Sequence, residues 1–317
     1  MRWKVMVSAP YMIPVIDRFR NIFEKNDIEI ITPPVKERLS EQELLNWVSD
    51  VDGVICGDDR FTESVLRAAH KLKVISKWGT GIDSIDKNAC ERLGITLCNT
   101  PDAFTDPVAD TVMAYVLCFS RRLLWINRDM HHGGWNKKPG KSLHECTLGV
   151  IGVGQIGKAI IRRAHAFNMN LLGNDIVDMP KEFVEETGIQ MVSKDELLRR
   201  SDFISLNCDS NPTSYHLLGW KEISSMKPSS YIINTARGSI IDERALIEAL
   251  KSELIAGAAL DVFEQEPLDE SSPLRQMDNI LLAPHNANSS PEAWERVHNN
   301  TIRNLINVLK RSSACSE

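Results

Sequence analysis

Short runs of apolar residues alternate with stretches in which apolar residues recur every three or four positions, along almost the whole chain. The runs are typical of buried strands, and the spaced stretches are typical of amphipathic helices. This alternation predicts βαβ units and therefore parallel sheets. The strands predicted for a first series are "KVMVSA", "IEIIT", "GVICG", "KVISKW" and "ITLCN".

A second series of strands begins at "CTLGVIGVGQIGKAI" and continues with "NLLGND", "IQMV", "FISLNC", "SYIINTA", "IAGAALDVF" and "NILLA". Between the series, Thr105 or Asp106 can cap a long helix whose first turn holds Pro107. Its apolar residues surround much of its circumference, so we expect it to pack between domains or between subunits. The stretch "SPEAWERVHNNTIRNLINVLK" predicts a long amphipathic helix that returns to the first domain, and the tail "RSSACSE" is expected to fray.

The length of 317 residues favours two domains. A formal net charge of -6 argues against a nucleic-acid partner. The longest apolar stretch, "VMAYVLCFS", is too short to span a membrane, and "MRWKVMVSAP" is typical of a strand, not of a leader. The seven cysteines are scattered without a CxxC pair, which favours a reducing compartment over disulfides or a zinc site. We therefore expect a soluble, cytoplasmic protein.

Three glycines, Gly152, Gly154 and Gly157, form the pattern G-x-G-x-x-G between a predicted strand and a predicted helix. In dinucleotide-binding proteins, these glycines allow a tight turn, the approach of a pyrophosphate and close packing of helix on strand. Asp175 at the end of the next strand fits the acid that binds a ribose 2′-hydroxyl. The alternative is an ordinary βα turn that needs glycines only for packing.

An arginine, Arg237, stands in "INTARGSII" directly after an apolar strand and before a glycine. The planar fork of an arginine suits a carboxylate. Gly238 would permit the turn that directs this side chain. The alternative is a structural arginine that pairs with a helix end.

The chain resembles the D-isomer-specific 2-hydroxyacid dehydrogenases over nearly its whole length, in the branch of phosphoglycerate dehydrogenases and glyoxylate/hydroxypyruvate reductases. The motifs that carry the resemblance are "KWGTGIDSID", "GVIGVGQIGKAI", "INTARGSIIDERALIEAL", "GAALDVFEQEPL" and "LLAPHNANSS". It implies an α/β protein with two Rossmann-like, doubly wound parallel-sheet domains and a cleft between them. The substrate domain would comprise residues 1–99 and 287–317, and the NAD-binding domain residues 100–286. It also implies a homodimer, built around the helix from Thr105, and no metal.

The resemblance also implies roles for individual residues. Arg237 matches the arginine that binds the substrate carboxylate and polarises the keto oxygen, and His285 matches the acid/base histidine. Glu266 matches the carboxylate that pairs with this histidine and favours its imidazolium form. Glu264 is the competitor, but the family places the glutamate directly before the proline. The residues implied to bind the cofactor NAD are Gly152, Gly154, Gln155, Ile156, Gly157, Asp175, Cys208, Thr235 and Asp261, and those implied to bind the substrate are Thr80, Gly81 and Arg237.

Some positions depart from the family pattern. Gln155 stands where the family often has arginine, and Cys56 aligns with the arginine that grips the phosphate in phosphoglycerate dehydrogenases. Small unphosphorylated 2-keto acids are therefore the predicted substrates. D-3-phosphoglycerate dehydrogenase activity remains an alternative, because Arg60 or Lys77 could replace the missing arginine.

Two further alternatives follow from the same resemblance. Oxidation of formate or phosphite is disfavoured, because the formate type pairs its histidine with glutamine and this chain has Glu266. A dinucleotide-sensing, corepressor-like binding protein would have the same fold and would also keep Arg237, Glu266 and His285.

Overall fold

The computed structural model describes residues 2–314, which divide into two compact units. Unit 1 comprises residues up to Phe104 together with those from Ser290, and unit 2 comprises Thr105–Ser289. These divisions fall after residues 104 and 289, where the sequence predicted divisions after residues 99 and 286. The assignment of the units to substrate and nucleotide stays a prediction.

Unit 1 contains one parallel sheet of five strands in the order β2-β1-β3-β4-β5. The strands are β1 Trp3–Val7, β2 Ile28–Ile31, β3 Gly53–Cys56, β4 Val74–Lys77 and β5 Thr96–Cys98. The helices are α1 Arg20–Glu24, α2 Glu41–Leu45, α3 Glu63–Ala68, α4 Lys87–Arg92 and α12 Pro291–Ala314, with 3-10 turns at Ile13–Phe19 and Val48–Asp50. Ser40 and Glu43 form a capping box at the start of α2.

The last helix, α12, packs against β3 and β4. The hydroxyl of Ser76 donates to the carbonyl of Thr301 at 2.9 Å, and the indole N–H of Trp78 donates to Nδ1 of His298 at 2.9 Å. Burial lowers the pKa of His298, in keeping with a neutral ring that accepts this hydrogen bond. These contacts fix the end of β4, from which the turn toward Thr80 begins.

Unit 2 contains a parallel sheet of seven strands in the order β12-β11-β10-β9-β6-β7-β8. The strands are β6 Thr147–Ile151, β7 Asn170–Asn174, β8 Gln190–Met191, β9 Phe203–Leu206, β10 Tyr231–Asn234, β11 Gly257–Leu260 and β12 Ile280–Leu282. The helices are α5 Thr105–Arg121, α6 Leu123–His131, α7 Gln155–Ala166, α8 Lys181–Thr187, α9 Lys194–Arg200, α10 Trp220–Ser224 and α11 Glu243–Lys251. Short 3-10 turns lie at Leu143–Glu145, Gly238–Ile240 and Pro273–Gln276.

Both faces of the second sheet are buried. Successive residues of a strand point to opposite faces, so Ile232 belongs to the core on one side and Ile233 to the core on the other. The strand order reverses between β6 and β9, and ligands of such sheets bind beyond the carboxyl ends of the strands at that point. The predicted glycine motif follows β6, and Cys208 lies shortly after β9.

One face of the long helix α5 is buried within unit 2. Its apolar residues Val112, Val116 and Phe119 are buried in the core of unit 2, and the helix packs against α7. Its apolar residues Tyr115 and Leu117 are only partly buried, so the packing of this helix between domains or between subunits stays a prediction. The following helix, α6, has no buried residue.

Two general properties complete the fold. Among residues 2–314, no helix combines the length and the apolar character needed to cross a membrane. The six cysteines within this range are free thiols, and Cys315 lies outside the described residues, as does the end of the tail predicted to fray.

Candidate active site

The glycine motif forms a tight turn between β6 and α7. Gly152 has a φ of 86°, and a Cβ there would lie 2.6 Å from the backbone nitrogen of Cys208. A Cβ on Gly157 would lie 2.2 Å from the carbonyl oxygen of Gly152, whereas a Cβ on Gly154 would meet nothing within 4 Å. The first and third glycines thus permit backbone packing, and the second faces open space at the start of a twelve-residue helix. This space fits a pyrophosphate, because α7 begins here with Gln155 and Ile156, and the N-terminus of a helix favours an anion.

Asp175 lies beside this turn, at the end of β7. Its Oδ2 accepts a hydrogen bond from the N–H of Val153 at 2.6 Å, and its Oδ1 accepts one from the N–H of Val177 at 3.0 Å. The carboxylate is therefore fixed at the edge of the glycine turn, where an adenosine ribose would lie in a dinucleotide-binding unit.

The remaining predicted cofactor residues follow β9, β10 and β11 on the same edge of the sheet. Cys208 is partly buried, and burial raises the pKa of its thiol to about 11, which suits packing and not nucleophilic chemistry. The hydroxyl of Thr235 is buried, and no residue in the described range hydrogen-bonds to it. A buried hydroxyl without a protein partner fits a ligand group at that position.

Arg237 follows β10 in a loop held by Asn234. The side chain of Asn234 donates to the carbonyl of Arg237 at 2.9 Å and accepts from the N–H of Ala236 at 3.1 Å. A Cβ on Gly238 would lie 1.9 Å from the carbonyl carbon of Phe263. Gly238 is therefore required by close contact with the loop after β11, which is a different reason from the permissive turn that the sequence suggested.

His285 and Glu266 are in contact, as the resemblance predicted. Nδ1 of His285 lies 3.0 Å from Oε2 of Glu266, and Oε1 of Glu266 accepts a hydrogen bond from the N–H of Phe263 at 3.0 Å. The competitor, Glu264, contacts a different histidine: its Oε1 lies 2.7 Å from Nε2 of His216. The choice of Glu266 over Glu264 as the partner of His285 agrees with this geometry. The Glu266–Pro267 peptide bond is cis.

Asp261 holds the turn that carries His285. Its two carboxylate oxygens accept hydrogen bonds from the N–H groups of Asn286 and Ala287, at 2.7 and 2.9 Å. Its carbonyl accepts from the N–H of His285 at 2.7 Å, and His285 has a φ of 53°. Burial raises the pKa of Asp261, and the two backbone N–H groups act in the opposite direction. The sequence suggested only cofactor binding for Asp261, because its backbone partners are not visible from spacing.

The turn with Thr80 and Gly81 lies in unit 1, after β4. The hydroxyl of Thr80 donates to the carbonyl of Thr100 at 3.0 Å, and the side chain of Asn99 donates to the carbonyl of Thr80 at 2.7 Å. Thr80 is exposed and Gly81 is partly exposed. The segment that follows β5, with Asn99 and Thr100, thus fixes this turn at the surface of unit 1.

Potential metal ligands come together in one group of the described residues, His216, Asp242 and Glu264, whose ligand atoms lie within 4.8 Å of one another. Each of them already has a protein partner. His216 and Glu264 contact each other, and Asp242 caps α11 by accepting from the N–H groups of Arg244 and Ala245. Nothing in this arrangement calls for an ion.

Comparisons with known proteins identify the family of this chain. Residues 113–287, more than half of the chain, match the family model described as "D-isomer specific 2-hydroxyacid dehydrogenase, NAD binding domain". The chain belongs to this family. The family consists of NAD-dependent oxidoreductases that interconvert 2-keto acids and D-2-hydroxy acids. The matched residues lie within unit 2, which carries the glycine turn and Asp175.

Individual relatives of the family differ in substrate and in length. The chain is 38% identical to a glyoxylate reductase of Thermofilum pendens, over 86% of this chain and 82% of the relative. It is also 38% identical to a D-3-phosphoglycerate dehydrogenase of Methanocaldococcus jannaschii, over 97% of this chain but only 57% of the relative. A solved D-lactate dehydrogenase of Aquifex aeolicus, complexed with NAD and lactic acid, has a TM-score of 0.87 at 26% identity, with 97% of this chain and 95% of that chain covered.

Proposed function

We propose that this dehydrogenase reduces small, unphosphorylated 2-keto acids such as glyoxylate or hydroxypyruvate to D-2-hydroxy acids with NADH. The observation that carries the acid/base part of the proposal is the contact of 3.0 Å between His285 and Glu266 on the loops after β12 and β11. A histidine held by a carboxylate can deliver a proton to a keto oxygen and take it back in the reverse reaction.

Each residue has a proposed task. His285 protonates the keto oxygen, and Glu266 favours the imidazolium form and orients the ring through Nδ1. Arg237 binds the substrate carboxylate and polarises the carbonyl. The N–H groups of Thr80 and Gly81 are proposed to bind the carboxylate as well. When bound, NADH supplies the hydride.

The residues proposed to hold NADH are those of unit 2 predicted from the sequence. The turn of Gly152, Gly154 and Gly157, with Gln155 and Ile156, would hold the pyrophosphate, and Cys208 would pack near the adenine. The buried hydroxyl of Thr235 and the carboxylate of Asp261 would contact the nicotinamide side. Asp261 has both oxygens engaged by backbone N–H groups but retains acceptor capacity, since a carboxylate offers about four lone-pair sites.

Two features support an unphosphorylated substrate. Cys56, buried at the end of β3, supplies no charge where the phosphoglycerate enzymes have an arginine. Lys77, one of the two cations that could replace it, is paired with Asp58 at 2.9 Å. A phosphate dianion needs several donors or an unopposed cation. The glyoxylate reductase of Thermofilum pendens, among the relatives, supports the same choice.

The test is an activity assay with a panel of 2-keto acids and NADH, in which the oxidation of NADH is measured by the absorbance of its nicotinamide. We expect turnover with glyoxylate and hydroxypyruvate, and a higher kcat/KM for hydroxypyruvate than for phosphohydroxypyruvate. A clear preference for phosphohydroxypyruvate would give the lead to D-3-phosphoglycerate dehydrogenase, which the relative from Methanocaldococcus jannaschii supports. Binding of NADH without turnover of any keto acid would favour the corepressor-like alternative.

The coenzyme preference is a separate expectation. Asp175 places a negative charge where the 2′-phosphate of NADPH would lie, and the next residues, Ile176 and Val177, offer no arginine to neutralise it. NADH should be preferred over NADPH by at least about tenfold in kcat/KM. Asp175→Ser should reduce this ratio, and equal efficiency of the wild-type protein with both coenzymes would contradict the assignment.

The predicted cytoplasmic homodimer is part of the same proposal. The helix α6 and the segment after it expose the large apolar residues Leu123, Leu124, Met130 and Trp135, the last with 85% of its surface accessible. Apolar residues exposed together on one segment suit a protein interface. Light scattering coupled to gel filtration would measure the mass, and a monomer would refute the dimer.

A further inference from the structure

A lysine and an aspartate lie together at the carboxyl edge of the sheet in unit 1. Lys77 ends β4, and its Nζ lies 2.9 Å from Oδ1 of Asp58, two residues beyond β3. The same Nζ donates to the carbonyl of Trp78 at 3.3 Å, and a Cβ on Gly79 would lie 3.5 Å from it. The ion pair is therefore packed against the turn that leads into Thr80 and Gly81.

The two partners differ in how far they face solvent. The side chain of Lys77 is 4% exposed, and that of Asp58 is 40% exposed. An anion that approaches this edge therefore meets the carboxylate before it can reach the ammonium. Lys77 is close enough to the turn to attract an anion. Its ammonium group is already paired with Asp58, however, and Asp58 lies on the solvent side of the pair.

The neighbouring aspartate is engaged differently. Asp59 is buried and accepts hydrogen bonds from the hydroxyl of Ser8 at 2.6 Å and from the N–H of Leu39 at 2.5 Å. Burial is the main cause that raises the pKa of Asp59. Asp59 therefore serves the packing of unit 1, whereas Asp58 is the half-exposed carboxylate that opposes Lys77.

We propose that Asp58 determines substrate charge: it neutralises Lys77 and repels a second anionic group on a 2-keto acid held at Thr80 and Gly81. This inference rests on the proposed function, because it needs the Thr80–Gly81 turn to bind the substrate carboxylate. It predicts that 2-keto acids with a neutral side chain are accepted. Those with a phosphate or a second carboxylate are rejected, because removing either anion from water beside a like charge is unfavourable.

The test compares substrate ratios in matched variants. Asp58→Asn keeps the size of the side chain and removes its charge, and Asp58→Ser also opens space beside Lys77. In both, kcat/KM for phosphohydroxypyruvate relative to hydroxypyruvate should rise by at least about tenfold, the order expected when a like charge beside an anion is removed. Oxaloacetate relative to pyruvate should shift in the same direction, which would show that the selectivity concerns charge and is not specific to phosphate.

The control is Asp50→Asn. Asp50 is also a partly exposed carboxylate paired with two lysines, Lys4 and Lys71. It precedes β3, however, and so lies at the amino ends of the parallel strands, whereas Asp58 lies at their carboxyl ends. Its removal should leave the ratio unchanged. The double variant Asp58→Asn, Lys77→Met should lose the gain, because the cation freed in the single variant is then absent.

Salt provides a measurement that needs no variant. If Asp58 repels the second anion, raising the salt concentration should increase the wild-type ratio of phosphorylated to plain hydroxypyruvate, because salt screens repulsion between exposed charges. A ratio that falls with salt would reveal net attraction and overturn the proposal, as would an unchanged ratio in folded Asp58→Asn protein. Failure of the proposed function gives a different result, either no turnover of either hydroxypyruvate or a preference of the wild-type protein for phosphohydroxypyruvate.

Discussion

The loop after β11 carries two glutamates, two residues apart, and each contacts a histidine. Glu266 lies 3.0 Å from Nδ1 of His285, and Glu264 lies 2.7 Å from Nε2 of His216. The side chains of both pairs are partly exposed to a similar degree. Contact distance and burial therefore do not distinguish a proposed catalytic pair from its neighbour.

The surroundings of the two pairs do distinguish them. Around His285, backbone groups are fixed by Asp261, and Phe263 donates to the second oxygen of Glu266. Around His216, the ring stacks on Tyr215 with centroids 4.0 Å apart, and Glu264 exchanges hydrogen bonds with Glu243. The first arrangement holds a histidine through Nδ1 on a fixed turn, and the second ties three loops together. The hydrogen-bond network around a histidine is therefore more informative about its role than the identity of its nearest partner.

The largest expected difference between the pairs is in turnover. His285→Ala should reduce kcat for keto-acid reduction by roughly 10² to 10⁴, because the proton donor is lost. NADH affinity, measured by fluorescence titration, should change little. His216→Ala is the matched control and should retain most of the activity. If the two alanine variants lost turnover equally, the assignment of His285 would be wrong.

The next difference is in pH dependence. In the proposed mechanism, reduction needs the imidazolium form of His285, and the Glu266 carboxylate favours that form. Glu266→Gln removes the negative charge, so the fall in kcat/KM with rising pH should begin at lower pH. Glu264→Gln should leave this limb where it is in the wild-type protein. Profiles recorded for both variants under one set of conditions would decide between them, and movement with Glu264→Gln alone would reverse the roles of the two glutamates.

The smallest expected effect concerns the stability contributed by the second pair. Glu264→Gln should lower the free energy of unfolding by about 0.2–1 kcal/mol, the range for exposed ion pairs. Urea unfolding would measure it, with Glu24→Gln, on the exposed end of α1, as a surface control. A loss of several kcal/mol would mean that the loops around His216 depend on this contact much more than its exposure implies.

Much of the fold was predictable from the sequence. All twelve predicted strands are present. A buried parallel strand has a short continuous run of apolar residues, which differs from the periodic apolar pattern of the helices on either side of it. The glycine turn was predictable for the same local reason. The pairing of Glu266 with His285 could not be predicted from the local pattern of residues, since both Glu264 and Glu266 follow β11. Only the resemblance to the family favoured Glu266.

The missed features all depend on contacts between distant parts of the chain. Asp261 holds residues 25 and 26 positions away, and Gly238 is required by the backbone of Phe263. The pairing of Lys77 with Asp58 depends on neighbouring strands in register. The packing of α5 between domains or between subunits stays a prediction for the same reason, because apolar residues around a helix do not reveal whether its own unit or a partner covers them.

The turn anchored by Asp261 holds His285 in an unfavourable backbone conformation. His285 is held with a φ of 53°, a conformation that costs a non-glycine residue about 1 kcal/mol or more. The hydrogen bonds that the buried carboxylate of Asp261 accepts maintain this conformation. In the proposed mechanism the histidine is thus preorganised: the unfavourable ordering is met once, when the chain folds, and does not recur as an activation cost in each catalytic cycle.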